Sequence, residues 1–282
     1  MEPLKNTVVL YHGHCPDGFA SSYVAWKKFG DTASYIAVHH DFPPPAGLEG
    51  KEIYMIDFSY KKEMLLEIEK NAKSFVVLDH HKTAEEAVKA VKVHRFAKDM
   101  SGCGLAWEYF FPDMPMPKLV SYVQEGDLNR SGLLHTHEIL KMIYAAPFTF
   151  QAFAKLELEL EDKKTFKKCI EIGTYYSQYF KRTAEILAED AELVSFEGHQ
   201  VYAVNVPRIF KHEVAQQLWQ KHGHHFAIVW YETVNGAKSV SMRSDGDVDV
   251  SALAQKYGGG GHLAASAFRV KAGESLPFKT VA

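Results

Sequence analysis

No run of apolar residues in this 282-residue chain approaches the roughly 20 that a membrane-spanning helix needs. No transmembrane segment or membrane partner is therefore expected. Cysteine is scarce: Cys15, Cys103 and Cys169 are an odd number with no Cys-x-x-Cys pair. That argues against a disulfide framework and points to a reducing compartment. An excess of one charge is missing too, since 32 Lys and Arg against 35 Asp and Glu leave a formal charge of −3. The chain thus lacks the broad basic field that grips long DNA, while leaving room for a short anionic ligand in a local pocket. The opening residues 1–7 are polar, without a secretory pattern, so a cytoplasmic location is expected. There is no internal repeat and no low-complexity tract.

What is present is the composition of a globular protein, 46% hydrophobic and 24% charged, with material for one large or two ordinary domains. Residues 8–11, 34–38, 52–56 and 75–78 are short apolar runs that read as strands. Residues 19–29, ending at Gly30, and 61–71 read as helices between them. This alternation predicts an α/β fold with a mainly parallel sheet flanked by helices, over residues 1–150. Helical spacing continues over 102–111 and 117–125, with Cys103 and Trp107 as packing residues and Asp127 breaking the second run. Residues 151–190 read as a helical linker. Short strands at 192–196, 200–205, 225–231 and 238–242, with a helix at 213–221, then predict a smaller C-terminal α/β domain over 191–282.

The polar residues cluster where those strands stop. His12, His14, Cys15 and Asp17 follow the first, in a loop punctuated by Pro16 and by Gly18, which permits close backbone approach. Asp57 follows the third, and Asp79-His80-His81 the fourth. Singly, each has a bland reading: Asp17 and Asp79 as helix caps, the histidines as solvated. His39, His40 and Asp41, ahead of three prolines, read as a solvated loop. Together they differ, because in a parallel sheet the carboxyl ends of strands share one edge, and that edge carries the chemistry. Carboxylates and imidazoles gathered there suit a divalent cation. Asp127 is a fourth candidate. Asp245, Asp247 and Asp249 begin the spacing of a calcium loop, but Val250 and Lys256 stand where Gly and Glu are required, so that reading is rejected. The glycines 258–261 expose consecutive N–H groups able to cradle a phosphate, or form a flexible connection to a last strand at 267–270.

In this order the motifs resemble the DHH phosphoesterases, named for the triplet that is here Asp79-His80-His81. The resemblance runs from His12…Cys15-Pro16-Asp17-Gly18 through Asp57, the triplet and Asp127. It continues to Ser241-Met242-Arg243-Ser244 and Gly259-Gly260-Gly261-His262 of the associated C-terminal domain. It implies hydrolysis of phosphoester or phosphoanhydride bonds with two Mn²⁺ ions, Mg²⁺ being the alternative. It also implies a ligand set of His12, His14, Asp17, Asp57, Asp79, His80 and Asp127. Asp57 would bridge, Asp17, His80 and Asp127 would complete one ion's shell, and His12 and His14 the other's. His81 would face the substrate phosphate and, with Asp57, count as catalytic. Arg243, Gly259, Gly260, Gly261 and His262 would bind substrate. Many relatives carry two aspartates in the first motif, whereas Asp17 stands alone here, with His14 or Cys15 near the missing one. The expectation is that His14 takes that place, that Cys15 points into packing, and that the softened site favours Mn²⁺ over Mg²⁺. The expected function is a metal-dependent phosphodiesterase or exonuclease acting on short oligonucleotides or dinucleotides. The alternatives are a phosphoanhydride hydrolase acting on pyrophosphate, polyphosphate or a nucleotide, and an inactive nucleotide-binding relative. A homodimer is left open.

Overall fold

The computed structural model describes residues 3–13, 15–40 and 42–281. The chain divides into two compact units, Met1–Ser177 and Gln178–Ala282.

In the first unit, strands β1 (Thr7–His12), β2 (Ala33–Val38), β3 (Glu52–Ile56), β4 (Ser74–Asp79) and β5 (Val93–Phe96) alternate with α1 (Pro16–Phe29), α2 (Lys62–Asn71) and α3 (Glu85–Lys89). They form one sheet, order β2-β1-β3-β4-β5, in which every pairing is parallel. Helices α4 (Gly102–Phe110), α5 (Lys118–Asp127), α6 (Thr136–Ala145) and α7 (Phe150–Glu161) follow, and α8 (Lys163–Leu187) runs on past the boundary at Ser177. The central strands read as unbroken apolar runs because both faces are covered. Val9, Ile56, Val76 and Leu78 join one core with Phe19, Tyr23 and Trp107. Val8, Leu10, Met55 and Val77 join another with Leu65, Ile68 and Val88. Each such side chain contributes roughly 1.5–3 kcal/mol by leaving water.

Three local expectations are corrected. Helix α1 begins at Pro16 rather than residue 19, since Pro suits the first helical position, where its missing N–H costs nothing. Asp127 does not break α5 but ends it inside the helix. Gly126 lets α6 pack close there: a Cβ on it would stand 2.7 Å from Leu140 Cδ1. The edge strand β5, half exposed along its length, was not anticipated.

In the second unit, β6 (Glu192–Phe196), β7 (His199–Asn205), α9 (Lys211–His222), β8 (Phe226–Glu232), β9 (Lys238–Ser244), α10 (Val250–Gln255), β10 (Gly260–His262), β11 (Ala265–Val270) and β12 (Lys279–Thr280) succeed one another. The sheet order is β10-β11-β9-β8-β7-β6-β12; β7 and β8 are parallel and the other pairs antiparallel. The glycine tract is not a flexible connection, because Gly260–His262 pairs with β11. A Cβ on Gly259 would stand 2.2 Å from the Ala267 carbonyl oxygen, and Gly261 has φ +136°. The glycines are thus required by the approach of β11. Asp249 caps α10, accepting from Ser251 and Ala252 N–H.

Candidate metal centre

Sheet register brings the first residues of the site level. Tyr11 pairs with Ile56 and Ile56 with Leu78. The residues that follow, His12, Asp57 and Asp79, therefore leave three adjacent strands side by side at the carboxyl edge. Gly18 makes the turn into α1 feasible: a Cβ on it would lie 2.1 Å from the His12 carbonyl oxygen. Asp57 adopts φ +58°. A left-handed conformation at a non-glycine residue costs of order 1–3 kcal/mol, and such strain gathers at functional sites.

Asp17, on the first turn of α1, is 1% exposed and meets the start of α4. Its Oδ2 accepts from Gly102 N–H at 2.6 Å and its Oδ1 from Cys103 N–H at 3.0 Å. Ser101 caps the same helix through Gly104 N–H. The unpaired amides and the helix dipole thus face a buried carboxylate.

His80 is the meeting point. Its Nε2 lies 3.1 Å from Asp57 Oδ1, 3.4 Å from Asp127 Oδ2 and 3.8 Å from Asp17 Oδ2. On the other side of Asp57, His12 Nδ1 is 3.5 Å from Oδ2. His12, Cys15 and Asp57 offer ligand atoms all within 4.8 Å of one another, as do Asp17, His80 and Asp127. Cys15 therefore does not simply point into packing. His14 lies outside the described residues.

Asp79 is engaged throughout by its neighbours, and its carboxylate lies with ligand atoms of Asp57, His80 and His81 in a third group within 4.8 Å of one another. Oδ1 accepts from His80 N–H at 2.7 Å, His81 N–H at 3.2 Å and His81 Nδ1–H at 2.7 Å. Oδ2 accepts from Ser59 Oγ–H at 2.5 Å. The carboxylate thereby sets the tautomer and the orientation of the His81 ring.

The electrostatics follow from packing four carboxylates and three imidazoles together. Burial pushes the Asp57 carboxyl up, but His12, His80 and His81 outweigh it and hold it well below the usual range. Asp17 goes the other way: burial and the charges of Asp57 and Asp127 raise it well above that range. Burial raises Asp127 as well. Burial would lower His80, yet the Asp57 hydrogen bond and the charges of Asp127, Asp57 and Asp17 lift it to about 10. His81, lowered by burial but beside Asp79, rises to about 9. Asp79 itself sits at about 2, because the pull of His81 exceeds its own burial. Burial and the neighbouring carboxylates push the Cys15 thiol well up.

Whether these residues suit a divalent ion is decided by what they leave unsatisfied. His12 Nδ1, Asp57 Oδ2 and Asp127 Oδ2 are buried atoms without a hydrogen-bond partner among the described residues. Each such atom costs about 1–3 kcal/mol, more when charged. They belong to the two groups just described, and a cation satisfies all of them. The donor set of nitrogen and carboxylate oxygen fits a first-row divalent metal.

Several participants are not evident from sequence. Ser59 and Gly102 are two of them. His40 is a third: its ring centroid lies 4.4 Å from that of Phe58 and 6.0 Å from that of His12, so the loop read as solvated borders the centre. His39 packs over Gly13, where a Cβ would meet its ring at 2.3 Å. Asp41 lies outside the described residues. His135 and His137 are exposed. In the second unit, Arg243 on β9 lies opposite Ala265 of β11, and its Nη1 donates to the Met242 carbonyl at 2.8 Å. Burial lowers this guanidinium to about 10. His225 is paired with Asp245 and Asp247 at 3.0 and 3.3 Å on the surface.

Residues 211–278 match the DHHA1 domain family. The whole chain is similar to Uncharacterized protein R106 of Acanthamoeba polyphaga mimivirus, 32% identical over 306 residues, covering 97% of this chain and 70% of R106. Among solved structures it is similar to the DHH domain of PF0399, a member of the s1p family of ribosomal proteins (TM-score 0.63, 11% identity, 93% of this chain and 82% of that one). It is also similar to an exopolyphosphatase-related protein from Bacteroides fragilis (TM-score 0.53, 13% identity, 96% and 88%). At these identities the two likenesses are of fold.

Proposed function

We propose, from the premise that this chain belongs to the DHH/DHHA1 superfamily, that it is a metal-dependent phosphodiesterase cleaving dinucleotides or short oligonucleotides. The observation that carries this reading is the convergence of Asp17, Asp57 and Asp127 on His80 Nε2, with carboxylate oxygens left undonated. A phosphodiester is anionic and repels hydroxide, so a protein that cleaves one must concentrate positive charge. Two divalent ions at such a centre supply Lewis-acid neutralisation of the phosphate and a water of lowered pKa. Asp17, His80 and Asp127 would hold one, and His12 the other; Asp57, between the two groups, would be shared.

The remaining work falls to the chain itself. Asp79, fixed by Ser59 and two backbone N–H groups, holds His81 Nδ1–H. In this reading His81 Nε2 is the nitrogen that faces the reacting phosphate and donates to an oxygen gaining charge. The first turn of α4 holds Asp17 in place through two N–H groups. On the second unit, Arg243, with a planar fork matched to phosphate oxygens, and His262 with Gly259, Gly260 and Gly261 would bind substrate. The formal charge of −3 favours short substrates over long DNA.

The test is an assay of the purified protein on a labelled dinucleotide, a short oligonucleotide, pyrophosphate and polyphosphate, with Mn²⁺, Mg²⁺ or chelator. Mononucleotide release that needs the metal is expected from the first two. Phosphate release from pyrophosphate or polyphosphate without dinucleotide cleavage would overturn the reading.

A further inference from the structure

We infer that Cys15 supplies a thiolate ligand to the ion held with His12 and Asp57, so that this position selects a borderline transition-metal ion over Mg²⁺. The inference deepens the two-ion reading above and rests on it. Its basis is geometric. The Sγ of Cys15, a ring nitrogen of His12 and an oxygen of Asp57 lie within 4.8 Å of one another. Ligand atoms bound at about 2.0–2.3 Å around one ion fall roughly 3–4.5 Å apart, so small side-chain movements close the set. Two of the three groups, through His12 Nδ1 and Asp57 Oδ2, face each other at 3.5 Å and together suit a cation. Asp57 is 1% exposed, yet its Oδ2 has no hydrogen-bond donor among the described residues, and neither has the buried Nδ1 of His12.

The backbone also presents Cys15 for this task. It is the residue before α1, extended at φ −120°, and it contributes no side-chain cap to that helix. The other cysteine near the centre is engaged elsewhere: Cys103 Sγ lies 3.2 Å from Ser101 Oγ and 3.7 Å from the Val120 carbonyl oxygen.

The chemistry of the two groups then differs. Asp17, His80 and Asp127 offer two oxygens and one nitrogen, a set that accepts Mg²⁺ or Mn²⁺. His12, Cys15 and Asp57 offer one nitrogen, one sulfur and one oxygen. A thiolate binds Zn²⁺ or Co²⁺ well and Mg²⁺ poorly, since Mg²⁺ prefers oxygen and keeps its waters. Ligation converts the Cys15 thiol to thiolate and releases its proton to solvent.

The experiment is a Co²⁺ titration of the metal-free full chain, followed by ultraviolet absorption without substrate. A thiolate-to-cobalt charge-transfer band is expected in wild type and in Cys103→Ala, and is expected to vanish in Cys15→Ser and Cys15→Asp. Cys15→Asp should also raise Mg²⁺ affinity at this position by about tenfold or more. Retained Co²⁺ binding by Asp17, His80 and Asp127 in both variants reports an intact fold. Two ions bound by wild type with no such band, or a band that survives in Cys15→Ser, would overturn the inference without any need for a variant to be active. The outcomes also separate this inference from the proposed function. A band without hydrolysis of any dinucleotide overturns only the activity, and hydrolysis without a band overturns only the thiolate.

Discussion

Gly102 lies so close to Asp57 that a Cβ placed on it would stand 2.4 Å from the Asp57 Cβ. The same residue donates its N–H to Asp17. One glycine at the start of α4 therefore fixes the spacing of two carboxylates that come from different strand ends. Gly102→Ala keeps the N–H and adds only a methyl group, which has no room unless Asp57 moves. The expected result is a destabilisation of about 1–3 kcal/mol from overpacking, together with loss of Mn²⁺ binding and turnover. Calorimetric melting and metal titration check it; a Gly102→Ala protein with wild-type metal affinity would show that Asp57 need not stay where it is.

Asp57→Asn is the sharper test of the centre. Asn tolerates the left-handed backbone at this position about as well as Asp does, so the fold should persist. The charge that holds His80 and His12 is gone, and with it the shared ligand. Turnover should fall to background, and in the metal-free protein the His80 imidazole should titrate well below its present value of about 10. Nitrogen chemical shifts of His80 across a pH series measure that directly. An unchanged His80 titration would mean that Asp127 and Asp17 carry the effect instead.

Asp79→Asn and Ser59→Ala probe orientation rather than binding. Asp79 meets His81, two N–H groups and Ser59. Loss of a partner that orients a catalytic or ligating imidazole typically costs 10–100-fold, so kcat for Asp79→Asn should fall by about that factor, with the larger share in kcat and both ions retained. Ser59→Ala should lower it less. Metal loss in Asp79→Asn would instead place Asp79 among the ligands, as the sequence led us to expect.

How far the sequence carried these conclusions depends on whether a feature is local. Strands β1, β3 and β4 were legible because they are interior to the sheet and read as apolar runs, and β2 because its apolar residues still alternate with the helices around it. Strand β5 was not, since an edge strand with alternating exposure carries little apolar signal. Strand β10 was not, because glycine has no strand preference and the close approach of β11 fixes its conformation. The clustering of His12, Asp57 and the Asp79-His80-His81 triplet was legible from strand ends alone. Ser59 and Gly102 were not, because their roles follow from contacts between segments far apart in the chain. Asp127 reads from the sequence as both a ligand candidate and a helix breaker, since the packing of Leu140 against Gly126 is invisible there.

Arg243→Ala should separate the two units by kinetics. A charge-assisted hydrogen bond to phosphate is worth about 1.5–3 kcal/mol, an order of magnitude or more in affinity. KM for a dinucleotide should rise by that factor while the number of bound ions stays the same. His262→Ala should act in the same direction. Loss of an ion in the Arg243→Ala protein would contradict the assignment of this residue to substrate alone.

Metal loading should release protons. A ligating imidazole must be neutral, yet His80 in the metal-free protein is raised to about 10 by Asp57, Asp127 and Asp17 and is therefore protonated at neutral pH. Asp17, pushed up by burial and its acidic neighbours, adds to the release. The apparent affinity for Mn²⁺ should consequently rise with pH, by up to about tenfold per pH unit for each proton displaced, and level off once pH passes the His80 value. The metal-free fold should behave in the opposite sense. A histidine whose pKa is raised on folding contributes stability that is fully present below its unfolded value, about 6.5, and is lost as pH climbs toward the folded one. Raising pH from 7 toward 10 should thus weaken the metal-free protein while strengthening its hold on Mn²⁺, so the gain in melting temperature on adding the ion should widen over that range. Titration calorimetry in two buffers of different ionisation enthalpy counts the protons. A heat that does not depend on the buffer would show that His80 is already neutral before the ion arrives.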